Sequence, residues 1–226
     1  MRFDVLTLFP ELIGTICGSS IIGRAQSSGI IEVYAHNIRD YSKDKHRRVD
    51  DTPYGGGKGM LMAAPPVVDC FEAVEKMAPS AMKTRRIYLS PTGAVLTQKK
   101  ARELAGYDRL ILLCGHYEGI DRRAVELFAD EELSVGDYVL TGGELPACLL
   151  IDCVSRTLDG VLAASECHEI ESIACGMLEY PQYTHPEVFR DMEVPAVLQS
   201  GNHQEIDRWR YEQALLLTKK NRPDLL

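Results

Sequence analysis

Short apolar runs alternate with amphipathic stretches through the first two thirds of the chain. FDVLTLF (3–9) is apolar almost throughout and is closed by Pro10, which predicts a buried strand followed by helical structure to about Ser28. IIEVYAHNI (30–38) predicts a second strand. PPVVDCFEAVEKM (65–77) has helical spacing with proline at its start, RIYLSP (86–91) predicts a strand, and TQKKARELAG (97–106) predicts a capped helix ended by Gly106. RLILLCG (109–115), DRRAVELFA (121–129), ELSVGDYVL (132–140) and ELPACLLIDCVSRTL (144–158) then read strand, helix, strand, helix. Strands this short and uniformly apolar, separated by helices, predict an α/β fold on a mostly parallel sheet covered on both faces.

The pattern breaks twice. RDYSKDKHRRVDDTPYGGGKGM (39–60) is polar, glycine-rich and without helical or strand period, and a connection of that length in a compact domain signals function or disorder. Beyond about residue 160, DGVLAASECHEIESIACG has weak periodicity and LEYPQYTHPEVFRDMEVPAVLQSGN is rich in Pro and Tyr. HQEIDRWRYEQALLLTKKN (203–221) regains helical spacing, with Ile206, Trp209, Ala214 and Leu217 towards one side. The expected organisation is a sheet domain over 1–160, a flexible linker over 161–176 and a small helical domain over 177–226.

Composition adds bounds. With 226 residues, 45% hydrophobic and 26% charged, the chain suits one core plus a small appendage. It has neither a run long and apolar enough to span a bilayer nor a basic leader followed by an apolar stretch, which predicts a cytoplasmic protein without a membrane partner. Seven scattered cysteines lack any CxxC pair, and Cys114 and Cys148 sit inside apolar runs, so buried reduced thiols are expected. Cys167, His168, Cys175 and His185 match no common zinc spacing, and no metal ligands are assigned. A net charge of −8 argues against general polyanion binding, yet KDKHRR (43–48), KTRR (83–86), KKAR (99–102) and the stretch from Arg208 to Arg222 are locally basic.

Ligands of a parallel sheet bind outside the carboxyl ends of its strands. Three consecutive strands carry unusual chemistry there: YLSPTG (88–93), CGHYEG (114–119) and GDYVLTGGELP (136–146). Each contains glycine, which lets backbone groups approach a ligand, and none contains lysine or arginine. A triphosphate site would want a lysine and a helix start free of carboxylate, whereas Glu144 opens the last helix. GGGKGM is no P-loop, since Thr52 occupies the place of its first glycine. The three turns predict a pocket for a neutral or cationic ligand with a flat ring held by backbone groups.

Together, VDDTPYGGG, YLSPTG, CGHYEGID, SVGDYVLTGGELPA, IDCVSR and YPQYTHPEVF…VPAVLQSGNH resemble, in order and from about residue 3 to 226, the bacterial tRNA (guanine-N1)-methyltransferases of the TrmD family. The resemblance implies a SPOUT-type sheet with a deep trefoil knot, a helical C-terminal domain that grips tRNA, and a homodimer with its active sites at the interface. It implies S-adenosylmethionine as cofactor, held by Tyr88, Leu89, Ser90, Pro91, Gly115, Tyr117, Glu118, Gly119, Val135, Gly136, Tyr138, Leu140, Gly142, Gly143 and Pro146. It implies methylation of N1 of the guanosine 3′ of the anticodon in tRNA, with His46, Asp50, Pro53, Gly55, Gly56 and Gly59 recognising the substrate. Relatives are helped by Mg2+, although no compact carboxylate cluster in the sequence specifies a site for it. Lys58 and His116 depart from the commoner family pattern, and some relatives carry arginine at the latter.

Guanine N1 carries a proton that must leave as the methyl arrives, so a carboxylate to take it and a cation near O6 are expected. Arg156 matches the family's catalytic arginine; heptad spacing puts it beneath Leu149 on the apolar side of its helix. The ordinary alternative is an Asp152–Arg156 helix pair worth about 0.2–0.5 kcal/mol. Ungapped matching puts Glu171 where the family has aspartate as general base, with Glu169 the neighbouring candidate. Two other readings stay open: a knotted methyltransferase acting on another RNA, or a non-catalytic RNA-binding relative.

Overall fold

The computed structural model describes residues 1–162, 172–173 and 176–226, in two compact units, Met1–Ala163 and Ala164–Leu226. The first unit is built on a five-stranded sheet of order β2-β1-β6-β5-β7 in which every pairing is parallel. The strands are β1 (Arg2–Thr7), β2 (Glu32–Asn37), β5 (Thr84–Val95), β6 (Arg109–Cys114) and β7 (Glu131–Ser134). A separate two-residue pair, β3 (Asp50–Asp51) with β4 (Leu61–Met62), forms an antiparallel hairpin that starts within the 39–60 segment and ends just past it. Six helices cover the sheet: α1 (Pro10–Cys17), α2 (Ser20–Ser27), α3 (Ala64–Glu75), α4 (Gln98–Leu104), α5 (Arg122–Phe128) and α6 (Glu144–Ser155).

Alternation along the strands explains why helices lie on both faces. Leu110, Leu112 and Cys114 of β6 enter a core with Ile13, Ala25, Leu104 and Ile151, which come from α1, α2, α4 and α6. Ile111 and Leu113 enter the opposite core with Val67, Phe71 and Phe128 of α3 and α5. All six residues of β6 are buried, as a strand with two covered faces requires. Thr97 accepts the Lys100 N–H and Asp121 accepts the Arg123 N–H, capping α4 and α5.

Two strand boundaries differ from the sequence reading. β5 runs on past Pro91 to Val95, because its register against β7 shifts between Leu89 and Ala94 and its pairing with β6 ends at Leu89. Proline therefore stands where no ladder donor is needed. The expected strand over 132–140 is shortened to Glu131–Ser134. Ser134 Oγ donates to Gly136 O and accepts from Gly136 N, turning the chain out of the sheet, and Gly136 takes φ +152. Its apolar continuation is not core: Val139 is 84% exposed.

In the second unit, β8 (Val188–Phe189) and β9 (Met192–Glu193) form a hairpin through Arg190 and Asp191, both at positive φ. α7 (Ala196–Gln199) and α8 (His203–Asn221) follow, with Asn202 capping α8 through Glu205 N–H. Ile206, Ala214 and Thr218 are its buried residues, and Thr218 Oγ1 accepts from Leu178 N.

Candidate active site

The carboxyl ends of β5, β6 and β7 surround a cavity of about 280 Å³. Of the residues expected to hold a cofactor, Tyr88, Leu89, Ser90, Pro91, Gly115, Tyr117, Glu118, Gly119, Val135, Tyr138, Leu140, Gly142, Gly143 and Pro146 all line it. Gly136 does not; it supports the wall from behind, since a Cβ there would lie 2.5 Å from the Tyr138 ring. Thr92, His116, Leu133, Ser134, Val139 and Thr141 complete the lining and were not singled out as contacts in sequence. Ser134 was findable, because serine two residues before glycine at a strand end signals a turn.

The glycine pair makes the wall close. A Cβ on Gly143 would lie 2.6 Å from Cys114 Cα, and Gly143 N donates to Gly115 O at 2.9 Å, so the last loop lies directly against the end of β6. Gly142 pairs with His116 as an antiparallel bridge and leaves room for a bond from His116 Nε2 to Glu144 Oε2 of 2.7 Å. Glu144 is 3% exposed and its other oxygen accepts from Thr7 Oγ1 at 2.6 Å. Read in sequence only as an obstacle to phosphate, Glu144 is thus a buried tie between strand ends. Thr7 lies 137 residues away, which no local pattern reveals.

Tyr88 is a buried part of the lining. Burial pushes its phenol above the usual range, with the charge of Glu132 adding to the shift, so it stays a neutral donor. Tyr117 sits at φ +60, a left-handed conformation that is costly for a side chain of its size and is enforced by the turn into Gly119. The lining holds no lysine or arginine; His116 is its one basic side chain and Glu118 its one acid.

The segment expected to recognise substrate is fastened to this wall. Glu118 N donates to Met60 O, Met62 N to Gly119 O and Asp121 N to Met62 O, at 2.9–3.0 Å. Gly59 is backed by Glu118, whose Cγ would be 2.5 Å from an added Cβ. Asp50 is half-buried in β3, Pro53 is half-buried, and His46, Gly55, Gly56, Lys58 and Gly59 are exposed. Tyr54 in the same loop is fully exposed.

Arg156 is half-buried and caps the C-terminus of α6. The expected placement beneath an apolar Leu149 does not hold: Leu149 is 39% exposed, because α6 buries its Ala147–Leu150–Ile151–Val154 side instead. Glu169 and Glu171 lie outside the described residues, as do Cys167, His168 and Cys175. Among the described residues, no group of three or more His, Cys, Asp or Glu side chains could hold a metal ion.

A parallel sheet with helices on both faces, bearing at its strand ends a glycine-walled cavity free of lysine and arginine, defines an α/β protein with a candidate ligand site at the carboxyl edge of its sheet. The family model described as tRNA (Guanine-1)-methyltransferase TrmD matches residues 1–226. The tRNA (guanine-N(1)-)-methyltransferase of Ruminiclostridium cellulolyticum is 57% identical over 225 residues, covering 100% of this chain and 96% of that protein. Its namesake from Geobacter sulfurreducens is 53% identical over 226 residues, covering 100% of this chain and 91% of that protein. The chain belongs to the TrmD family of tRNA (guanine-N1)-methyltransferases and is an enzyme of that class.

Proposed function

We propose that this enzyme methylates N1 of guanosine 37, the nucleotide 3′ of the anticodon in tRNA, using S-adenosylmethionine. The observation that carries the reading is the family match over the whole chain, and the cavity is consistent with it. The glycine wall admits a flat ring against backbone, and the absence of lysine and arginine suits a sulfonium. Tyr88 to Pro91, Gly115, Tyr117 to Gly119, Val135, Gly136, Tyr138, Leu140, Gly142, Gly143 and Pro146 would hold it. When bound, S-adenosylmethionine supplies an electrophilic methyl group whose departure leaves a neutral thioether.

The chain's own residues manage the charge on guanine. In this reading the Glu171 carboxylate takes the N1 proton as the N1–CH3 bond forms, and the Arg156 guanidinium stabilises the negative charge developing on O6. Glu169 is the neighbouring alternative as base. The 39–60 segment, with His46, Asp50, Pro53, Gly55, Gly56 and Gly59, contributes to recognition of the target base.

The assembly we propose is a homodimer with shared active sites. Phe9, Leu12 and Ile16 on and beside α1, and Leu145 and Leu149 on α6, expose apolar side chains on two helices that pack together. Nine residues of α6 lie between Pro146 in the cavity wall and Arg156 at its C-cap, a rise of about 15 Å along the axis. A second copy completing the site reconciles that separation with a shared reaction centre. The C-terminal part of the sheet domain would form the trefoil knot, and residues 177–226 would grip tRNA. None of the helices among the described residues is long and apolar enough to cross a membrane, and a cytoplasmic site of action accords with a tRNA substrate.

The test is methyl transfer from labelled S-adenosylmethionine to a tRNA transcript with guanosine at position 37, beside one with adenosine there. Transfer is expected to the first alone, and to be lost in Arg156→Ala and Glu171→Gln with cofactor binding intact. Equal labelling of both transcripts would sink the target assignment, and full activity in Glu171→Gln would move the base to Glu169.

A further inference from the structure

The buried tie at Glu144 fixes more than the fold. Thr7 Oγ1 accepts the Phe9 N–H at 2.9 Å, so its own hydrogen is left to donate to Glu144 Oε1 at 2.6 Å. A carboxylate only accepts. Its second oxygen, 2.7 Å from His116 Nε2, therefore places the ring proton on Nε2. His116 Nδ1 has no hydrogen-bond partner among the described residues, and it is not among the buried unpaired atoms, so solvent reaches it. The ring lies between Phe9, with centroids 4.9 Å apart, and Tyr117, at 6.3 Å, and its residue lines the cavity. An oriented imidazole with one nitrogen committed and the other free, in a wall without other basic groups, is arranged for a ligand.

We infer that Glu144 is a positioning residue that holds His116 in its Nε2–H tautomer, and that the His116 Nδ1 lone pair accepts a hydrogen bond from a hydroxyl or amino donor of the nucleoside ligand. The inference rests on the reading of this cavity as the S-adenosylmethionine site. Gly142 belongs to the same device: a Cβ there would come within 2.6 Å of Glu144 Oε2 and closer still to His116 Nε2.

The test uses the full chain with ¹⁵N-labelled histidine and S-adenosylhomocysteine as probe. Long-range imidazole spectra of the wild type should show the Nε2–H form at His116, with the bare Nδ1 resonance moving upfield as the probe is added. His116→Phe keeps the ring between Phe9 and Tyr117 and removes both nitrogens; calorimetry should show probe affinity down about three- to tenfold. Glu144→Gln, with an amide facing Nε2, should shift the tautomer towards Nδ1–H and weaken the probe over the same range. Binding with an unmoved Nδ1 resonance, or at full affinity in folded His116→Phe, overturns the ligand contact alone. Retention of the Nε2–H form and full affinity in Glu144→Gln overturns the positioning role. A wild type that does not bind the probe overturns this inference together with the cofactor reading beneath it.

Discussion

Gly143→Ala is the sharpest probe of how the cavity is built. At φ −83 and ψ −4 the backbone accepts alanine without strain, so any effect must come from space. The added Cβ would meet Cys114 Cα at 2.6 Å, and Cys114 Cβ and Gly115 N at 3.0 Å. To restore ordinary carbon contact the loop has to recede by about 1 Å. It is held where it is by the Gly143 N–H bond to Gly115 O, and Cys114 is fully buried, so neither side gives cheaply. Overpacking of this kind costs about 1–3 kcal/mol. For a chain of this size each kcal/mol lowers Tm by about 2–4 °C, giving a fall of about 2–12 °C by calorimetry. Because the receding loop is itself the wall, affinity for S-adenosylhomocysteine should drop as well, by up to about tenfold if one wall hydrogen bond is lost. Gly93→Ala separates the two effects. Its Cβ would lie 2.5 Å from Glu132 O and Leu133 N, yet Gly93 is outside the cavity wall, so Tm should fall without a matching loss of affinity. A Gly143→Ala protein with wild-type Tm and wild-type affinity would refute the close approach of the two strand ends.

Three further outcomes are expected. Asp4, with no solvent exposure, is bonded by Arg2, His36 and Arg109, and Asp4→Asn should cost about 3–5 kcal/mol in denaturant unfolding. Burial pushes the Asp4 carboxyl up, but the bonds from His36, Arg2 and Arg109 outweigh it and hold it far below the usual range. The unfolded chain therefore takes up a proton there first, and wild-type stability should decline as pH falls below about 4, with a flatter profile in Asp4→Asn. Burial pushes the Cys70 thiol up to about 12 and raises that of fully buried Cys114 well above its ordinary value, so iodoacetamide at pH near 8 should leave both unmodified by mass spectrometry until denaturant is added. If the protein dimerises as proposed, Leu149→Asp, placing a charge on the exposed apolar side of α6, should lower the light-scattering mass towards that of the monomer; a dimeric mass in both proteins would put the interface elsewhere, and a monomeric wild type would overturn the proposed dimer.

Periodicity revealed the sheet well because the strands are buried on both faces and read as continuous apolar runs, as RLILLC at 109–114 does. The same cue failed after Ser134, where Val135, Tyr138, Val139 and Leu140 are apolar for the sake of the cavity and not the core. Hydrophobicity alone does not distinguish those uses. The cavity lining was legible because glycine, tyrosine and proline stand in contiguous motifs at three strand ends. The Thr7–Glu144–His116 tie was not, since its members are spread over three distant stretches and each looks ordinary where it stands. Placing Arg156 by heptad spacing failed for a related reason: α6 is apolar nearly all round, so period alone does not say which side is buried.

The strand order has a consequence for how the chain is made. β1 leaves the ribosome before the other four strands of its sheet, yet it lies inside that sheet, with Phe3 opposite Leu110 on one edge and Val33 on the other. The β2 edge can be satisfied early, but the β6 edge waits for about a hundred more residues, roughly 5–20 s at ordinary rates of synthesis. Throughout that interval the nascent chain carries an unpaired edge bearing Phe3, Val5 and Leu6, all destined for complete burial. Slow translation across 40–108 should therefore lengthen exposure to aggregation and chaperone capture, and a truncated chain released before Leu113 should be insoluble.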